Sequence, residues 1–349
     1  QPGQTIRGGR RTQIHQRAAG SRGGQSAPLR LITVVDEFEI IRRCLSRTPT
    51  DASVLIGVGD DGAVMRPTPG RDLVSVVDTC VAGVHFPTSL DPADIGYRAV
   101  AVNVSDIAAM GARPRWMTLA LTLDAADEAW LDGFARGVFE AGSRYGTELV
   151  GGDITHGAEK VISVQVTGDV EVGKALTRDG AAPGDDIYVS GTPGDAALGL
   201  SIIESGAPPG EHAEYLVRRF TRPSPRLALG QRIADVASAA IDLSDGLFAD
   251  LDKLLAASGV AGEIELDTLP RSDALSAVIE SDDALQFALG GGDDYELCFT
   301  AGDPSIVEIA RETGTRITRI GTVIEGAGLR CTLADEGYAY ESPGYRHFR

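Results

Sequence analysis

Paired cysteine is missing from this chain. Cys44, Cys80, Cys298 and Cys331 lie far apart and none stands in a C-x-x-C pair, so they read as buried, reduced thiols. Positive charge is scarce too: 32 Lys and Arg stand against 50 Asp and Glu, a net charge of -18. A nucleic-acid surface needs a basic stripe, which sets that class of partner aside. No run approaches the roughly 18 apolar residues of a membrane span, which leaves no membrane partner and makes the cytoplasm the expected compartment. A G-x-x-x-x-G-K-[ST] phosphate loop is absent, as is any repeat of about 20 to 50 residues.

What remains is an ordinary globular composition, 43% apolar and 23% charged over 349 residues. That length is long for one core, so two domains are expected. Residues 1–33 stand apart: Arg7, Arg10, Arg11, Arg17, Arg22 and Arg30 occur there without an acid. Such a stretch could be a transit peptide, but it reads rather as a disordered basic extension or a mis-called start, and the fold is expected to begin near Val34.

From there strands and helices alternate. Strands are expected at Ser53–Val58 and at Leu73–Val77, the second ending at Asp78. A helix over Ile95–Met110 places Asn103, Asp106 and Met110 on one face. Strand Trp116–Leu123 and a helix marked by Trp130, Phe134, Val138, Ala141 and Tyr145 follow. A strand from Glu148 to Val150 leads into a Gly151-Gly152-Asp153 turn, and Val161–Val166 alternates as a half-buried strand does. Gly180-Ala-Ala-Pro-Gly-Asp185 is a turn-rich break, which divides the chain into domains 34–180 and 181–349. Beyond it come strand Asp186–Ser190, helices around Ala196–Glu204 and Arg226–Val236, and strand Ala239–Leu243. Helix Leu247–Ala256, strands Glu263–Leu266 and Tyr295–Thr300, helix Ser305–Glu312 and strand Arg316–Val323 complete the reading. Both halves are α/β (α+β) with mixed sheets.

Carboxylates carry the chemistry. Asp61, Asp78, Asp106, Asp153, Asp242 and Asp245 sit at strand ends, beside glycines or on an apolar helix. Aspartate is depleted from strands and seldom buried unless paired or metal-bound. Hard oxygen ligands of this kind suit Mg²⁺, which usually also holds substrate phosphates. Gly57-Val-Gly-Asp-Asp-Gly62 formally matches a dinucleotide fingerprint, but Asp60 and Asp61 would repel a pyrophosphate resting on bare amides. In Asp242-Leu-Ser-Asp245-Gly246 the first residue ends a strand, and Ser244 or Asp245 can cap the helix from Leu247. Gly290-Gly-Gly-Asp-Asp294 reads as a glycine turn entering a strand. Arg178, just before the break, could fork a phosphate in an interdomain cleft.

Taken in order, these segments resemble the thiamine-monophosphate kinase family. The resemblance rests on Gly57-Val-Gly-Asp-Asp61, Val77-Asp-Thr-Cys-Val-Ala-Gly-Val-His-Phe86, the run from Asp91 to Ala112, Gly151-Gly-Asp153, Ala175-Leu-Thr-Arg-Asp-Gly180, Ile241-Asp-Leu-Ser-Asp-Gly-Leu247 and Gly291-Gly-Asp-Asp-Tyr-Glu-Leu-Cys-Phe299. It covers about Asp36 to Phe348. It implies ATP-dependent phosphorylation of thiamine monophosphate to thiamine diphosphate, the last step of that cofactor's synthesis, by direct transfer without a catalytic base or covalent nucleophile. It also implies the two-domain fold of aminoimidazole ribonucleotide synthetase, in which N-terminal domains pair into a barrel across a homodimer and ATP binds near that interface. By the same resemblance Asp61, Asp78, Asp106, Asp153, Asp242 and Asp245 hold several Mg²⁺ ions. Tyr145, Gly152, Asp153, Arg178 and Ser244 face ATP, and His85 and Asp293 face thiamine monophosphate. The chain departs from the family in three places. Asp293 stands where Glu is usual, and Ser342 stands near an expected aromatic, leaving Tyr345 as its substitute. Val76 and Val77 replace hydroxyl residues before Asp78.

Overall fold

The computed structural model describes residues 37–206 and 210–340; the basic extension and Tyr345 lie outside them. In the N-terminal half, α1 (Glu37–Ile40) runs into a π turn, Ile41–Leu45, and is followed by the short strands β1 (Val54–Ile56) and β2 (Val64–Met65). Then come β3 (Arg71–Val81), α2 (Pro92–Ala109), β4 (Arg113–Leu123), α3 (Glu128–Tyr145), β5 (Glu148–His156) and β6 (Val161–Glu171). The last four of these strands form one sheet in the order β3-β6-β4-β5, parallel only between β4 and β5. Helix α3 is the crossover that such a parallel pair needs.

The C-terminal half holds β7 (Asp186–Ser190), α4 (Asp195–Ser205), α5 (Glu211–Thr221), α6 (Leu227–Ile233), β8 (Ala239–Asp242) and α7 (Leu247–Ser258). It continues with β9 (Ala261–Glu265), α8 (Asp273–Val278), α9 (Ser281–Gly290), β10 (Leu297–Ala301), α10 (Ile306–Thr313), β11 (Ile317–Ile324), β12 (Gly328–Leu333) and β13 (Glu336–Tyr338). Its seven-stranded sheet has the order β13-β12-β9-β11-β7-β10-β8, with β12 and β9 parallel and the other pairs antiparallel. Mixed sheets in both halves match the expectation from sequence. Among the described residues no helix is long and apolar enough to cross a membrane.

Helix α2 is the central element. Asp91 caps it, its side chain accepting from the Ala93 amide at 2.8 Å, and Pro92 occupies the first turn, where its missing N–H costs nothing. Fifteen of its eighteen residues are buried, the pattern of a helix covered on every side. One side meets α3 at backbone distance: a Cβ on Gly137 would stand 1.9 Å from the Ala93 carbonyl oxygen, and one on Gly96 would stand 2.2 Å from that of Phe134. Near its C-terminal end it meets α6, where a Cβ on Gly230 would stand 2.0 Å from the Ala108 carbonyl oxygen, and Val100, Val104 and Ile107 fill the core over the four-stranded sheet.

Several boundaries differ from the sequence reading. Strand β3 continues past Asp78 to Val81, so that aspartate lies within a strand and not at its end. Gly151-Gly152-Asp153 is likewise no turn. Strand β5 runs through it to His156, shifting register beside Met117 and Thr118, because the bare Gly152 lets the Leu119 carbonyl approach too closely for a Cβ. Helix α5 escaped notice because Leu216 and Phe220 are its only fully buried apolar residues. Helices α8 and α9 and strands β12 and β13 were also absent from that reading. The Gly290–Asp294 segment is not a hairpin turn: α9 ends at Gly290, and an irregular stretch leads to β10 at Leu297.

The tight α2–α3 contact yields a prediction. Gly137→Ala has to push the helices apart and should lower stability by about 1–3 kcal/mol. Thermal unfolding measures this; an unchanged midpoint would contradict the packing described.

Candidate active site

Although α2 is apolar over most of its length, four of its residues are polar and face carboxylates or the backbone beside them. Asn103, fully buried, donates through Nδ2 to the Ala99 carbonyl at 3.0 Å. Its Oδ1 accepts the Asp78 amide of β3, also at 3.0 Å. The Ser105 hydroxyl donates to Asp242 Oδ2 at 2.7 Å. Asp106 shares a hydrogen bond with the Asp78 carboxyl. Arg98 is only 3% exposed; it pairs with Asp293 and donates to the Phe220 carbonyl at 2.7 Å. One helix therefore draws Asp78 from the four-stranded sheet and Asp242 and Asp293 from the seven-stranded half.

Two loops support the C-terminal carboxylates. Beyond Asp242 at the end of β8, the Ser244 and Asp245 amides both donate to Asp250 Oδ2 at 2.9 Å. Asp250 lies a turn inside α7, so the loop is held from within the helix. The N-cap position is Gly246, without a side-chain cap, which corrects the expectation that Ser244 or Asp245 caps α7. Lys253 Nζ bridges Asp245 Oδ2 at 2.5 Å and Asp250 Oδ1 at 2.8 Å. The segment before β10 then zips onto this loop: the Asp293 and Tyr295 amides donate to the Ser244 and Leu243 carbonyls at 2.9 Å. Asp293 (φ 69°) and Tyr295 (φ 51°) both adopt left-handed backbone conformations, which cost free energy in a non-glycine residue. Neighbouring side chains fix this segment. The Tyr295 hydroxyl donates to Asp293 Oδ1 at 3.2 Å, Asp294 accepts the Gly194 and Ala196 amides at the start of α4, and Glu296 binds Arg219 and Arg226.

The carboxylates repel one another. Burial, reinforced by the charges of Asp242 and Asp78 and opposed by Arg178, pushes Asp106 up to about 8. Burial also raises Asp242, to about 7; Asp250 and Asp78 add to the rise, while the Ser105 hydroxyl and Arg178 oppose it. Asp78 is raised by burial as well. Arg178 is exposed, yet its charge reaches both Asp106 and Asp242.

Other expected site residues lie elsewhere. Gly152 and Asp153 are exposed on β5, at the sheet edge opposite β3. The row Asp78–Val164–Leu119–Gly152 separates the two edges by three strand spacings, roughly 14 Å. Asp153 falls in the next row, with Ala120, Ser163 and Thr79, and so points to the open face of the sheet. Asp61 is exposed in the loop after β1, and Val58 of that loop lines a small cleft with Gly151, Gly152 and Asp153. Tyr145 is half-buried; its hydroxyl lies 2.7 Å from that of Tyr97 and 3.3 Å from the Pro223 carbonyl. His85, beyond β3, accepts the Val81 amide through Nδ1 at 3.1 Å.

Arg98, Ser105, Asp250 and Lys253 were not among the sequence candidates. Arg98 and Ser105 are polar interruptions of an apolar helix, the signal that marked Asp106. Asp250 and Lys253 look like ordinary helix-surface residues until the loop folds back over them.

Among the described residues, no three His, Cys, Asp or Glu side chains converge tightly enough to hold a metal ion as they stand. The donor set nevertheless fits a hard divalent cation: Asp78, Asp106 and Asp242 offer only oxygens, and their mutual repulsion is what such an ion relieves.

The chain is similar to known proteins over most of its length. The family model for the AIR synthase related protein N-terminal domain matches residues 59–170, and that for the C-terminal domain matches residues 182–334. Thiamine-monophosphate kinase of Escherichia coli K12 is 44% identical over 319 residues, covering 89% of this chain and 98% of that protein. The crystal structure of thiamine-monophosphate kinase from Stenotrophomonas maltophilia K279a superposes with a TM-score of 0.77 at 43% identity, covering 86% of this chain and 96% of that one. AaThiL complexed with AMPPCP and TMP gives a TM-score of 0.73 at 34% identity, covering 81% of this chain and 89% of that one.

The raised carboxyls set a pH dependence. Folded, Asp106 and Asp242 keep a proton to about pH 8 and 7; unfolded, they lose it near pH 4. Between these limits the folded chain binds more protons, so its stability falls as pH rises. The melting temperature without divalent cations should drop by roughly a few degrees from about pH 5 to 8, and less in Asp106→Asn. A flat or rising profile would contradict the carboxylate cluster.

Proposed function

The chain belongs to the thiamine-monophosphate kinase family, and from that premise we infer that it transfers the γ-phosphoryl group of ATP to the phosphate of thiamine monophosphate, giving thiamine diphosphate. The observation that carries the reading is the convergence of Asp78, Asp106 and Asp242 on α2 between the two halves. A site for two phosphorylated substrates gains from acids only as a holder of cations. Four free thiols suit a reducing compartment, and we place the reaction in the cytoplasm.

ATP and a phosphate monoester together bring about six negative charges near neutral pH, as the second phosphate pKa is near 6. Their repulsion is the main barrier to in-line approach. Asp78, Asp106, Asp242 and Asp245 would hold Mg²⁺. Bound there, Mg²⁺ supplies neutralisation of phosphate charge. Arg178 would add a guanidinium fork for a phosphate oxygen, and Ser244 would offer its hydroxyl to ATP from the loop that Asp250 holds. His85 and Asp293 would face thiamine monophosphate, Asp293 held in place by Arg98. The attacking phosphate oxygen is already largely ionised, so the residues need only position the substrates and exclude competing geometries.

Asp61, Gly152 and Asp153 enter this scheme through a homodimer. Asp153 faces the open side of the four-stranded sheet, where Leu73 and Val77 of edge strand β3 are 53% and 63% exposed. A second copy covering that face would bury this apolar edge together with the row that holds Asp153. Tyr145 would then contribute to the nucleotide side by packing more than by its hydroxyl, which Tyr97 and Pro223 already engage.

Incubation with thiamine monophosphate, ATP and Mg²⁺, followed by chromatography, is expected to yield thiamine diphosphate only when all three are present; no product would overturn the assignment. Asp106→Asn should slow turnover by roughly 10²–10³-fold, the usual loss when one preorganised electrostatic group is removed. Turnover near that of the parent at limiting Mg²⁺ would refute its role.

A further inference from the structure

We propose that Lys253 is a tethered competitor at the cation site: its ammonium group occupies the Asp245 oxygen that a divalent ion would take, and must leave it for the ion to bind. The inference deepens the proposed function and rests on reading Asp245 as a cation ligand.

Three observations carry it. Lys253 Nζ lies 2.5 Å from Asp245 Oδ2 and 2.8 Å from Asp250 Oδ1, so one oxygen of Asp245 is already taken by a cation belonging to the chain. The two partners differ in freedom. Asp250 is 1% exposed, and its other oxygen is held by the Ser244 and Asp245 amides; it cannot follow an incoming ion. The Asp245 side chain is 30% exposed and that of Lys253 45% exposed, so this half of the bridge opens to solvent. Lysine carries a compact charge on a flexible four-carbon stem, which lets the ammonium release Asp245 while keeping its hold on Asp250.

The arrangement has a physical rationale. Without a cation, Asp245 stands beside Asp250, whose burial already disfavours its charge, and Asp242 lies in the same cluster. Lys253 offsets that repulsion and keeps the 242–246 loop in shape. The cost is that cation affinity becomes a difference between two electrostatic attractions, which weakens binding in the absence of phosphates. An exposed lysine–carboxylate pair is weak, so the competition is modest and reversible.

The test is calorimetric titration of Mn²⁺ into the full chain without nucleotide, a readout independent of turnover. Asp245→Asn should weaken Mn²⁺ binding; if it does not, the reading of Asp245 as a ligand fails. Lys253→Met should tighten binding roughly two- to fivefold, and Lys253→Gln should do the same. In the Asp245→Asn background the tightening should vanish. If Asp245→Asn weakens binding while Lys253→Met leaves it unchanged or weaker, the competitor proposal fails and the ligand reading stands. Equal tightening in both backgrounds would also overturn the proposal, since it would mark a general charge effect rather than competition for one oxygen. Lys253→Arg keeps the charge and should bind as the parent chain does; tightening there would count against the proposal as well.

Discussion

A polar side chain on a helix buried from all sides must find a partner, and on α2 that requirement assembles the site. Arg98, Asn103 and Ser105 are buried under α3, α6 and the four-stranded sheet, and Asp106 is half-buried beside them. An unpaired polar group in such a place costs about 1–3 kcal/mol, and an unpaired charge more. Their partners are Asp293, the Asp78 amide, Asp242 and the Asp78 carboxyl. Helix packing and site geometry are thus one problem: the glycines that let α3 approach α2 also determine where Asp78 and Asp242 meet.

The same cluster works against the fold. Three carboxyls are raised by burial, and Asp106 and Asp242 also by neighbouring charges, while Asp293 and Tyr295 sit in left-handed backbone conformations that favour glycine. The strain is confined by strong local clamps: Arg98 on Asp293, two α4 amides on Asp294, and two arginines on Glu296. A site so held is rigid in its backbone and frustrated in its charge. That combination is what the proposed cation site asks of its ligands.

Much of this was legible in the sequence. The alternation of Ile162, Val164 and Val166 announced β6, and the long apolar run with a single aspartate announced α2 and Asp106. Mixed α/β architecture followed from the order of such segments, and the family resemblance stood on contiguous motifs. What stayed hidden has physical causes. Gly151-Gly152-Asp153 reads as a turn because glycine and aspartate favour turns, yet the glycines serve a close strand approach. Asp250 reaches back five and six residues to loop amides, a bond with no periodic signature. Arg98 and Asp293 are separated by 195 positions and can be paired only once the halves are docked. Asp61 and Asp153 stand apart from Asp78 within the chain, a separation that contiguous sequence motifs do not encode.

If the α2-centred carboxylates form a cation site for two bound phosphates, a crystal structure with Mn²⁺, a non-hydrolysable ATP analogue and thiamine monophosphate will reveal it through the metal's anomalous scattering. Anomalous peaks are expected within coordination distance of Asp78, Asp106 and Asp242, beside phosphate oxygens. Phosphates bound with no metal at these residues, or metal held only elsewhere, would contradict it.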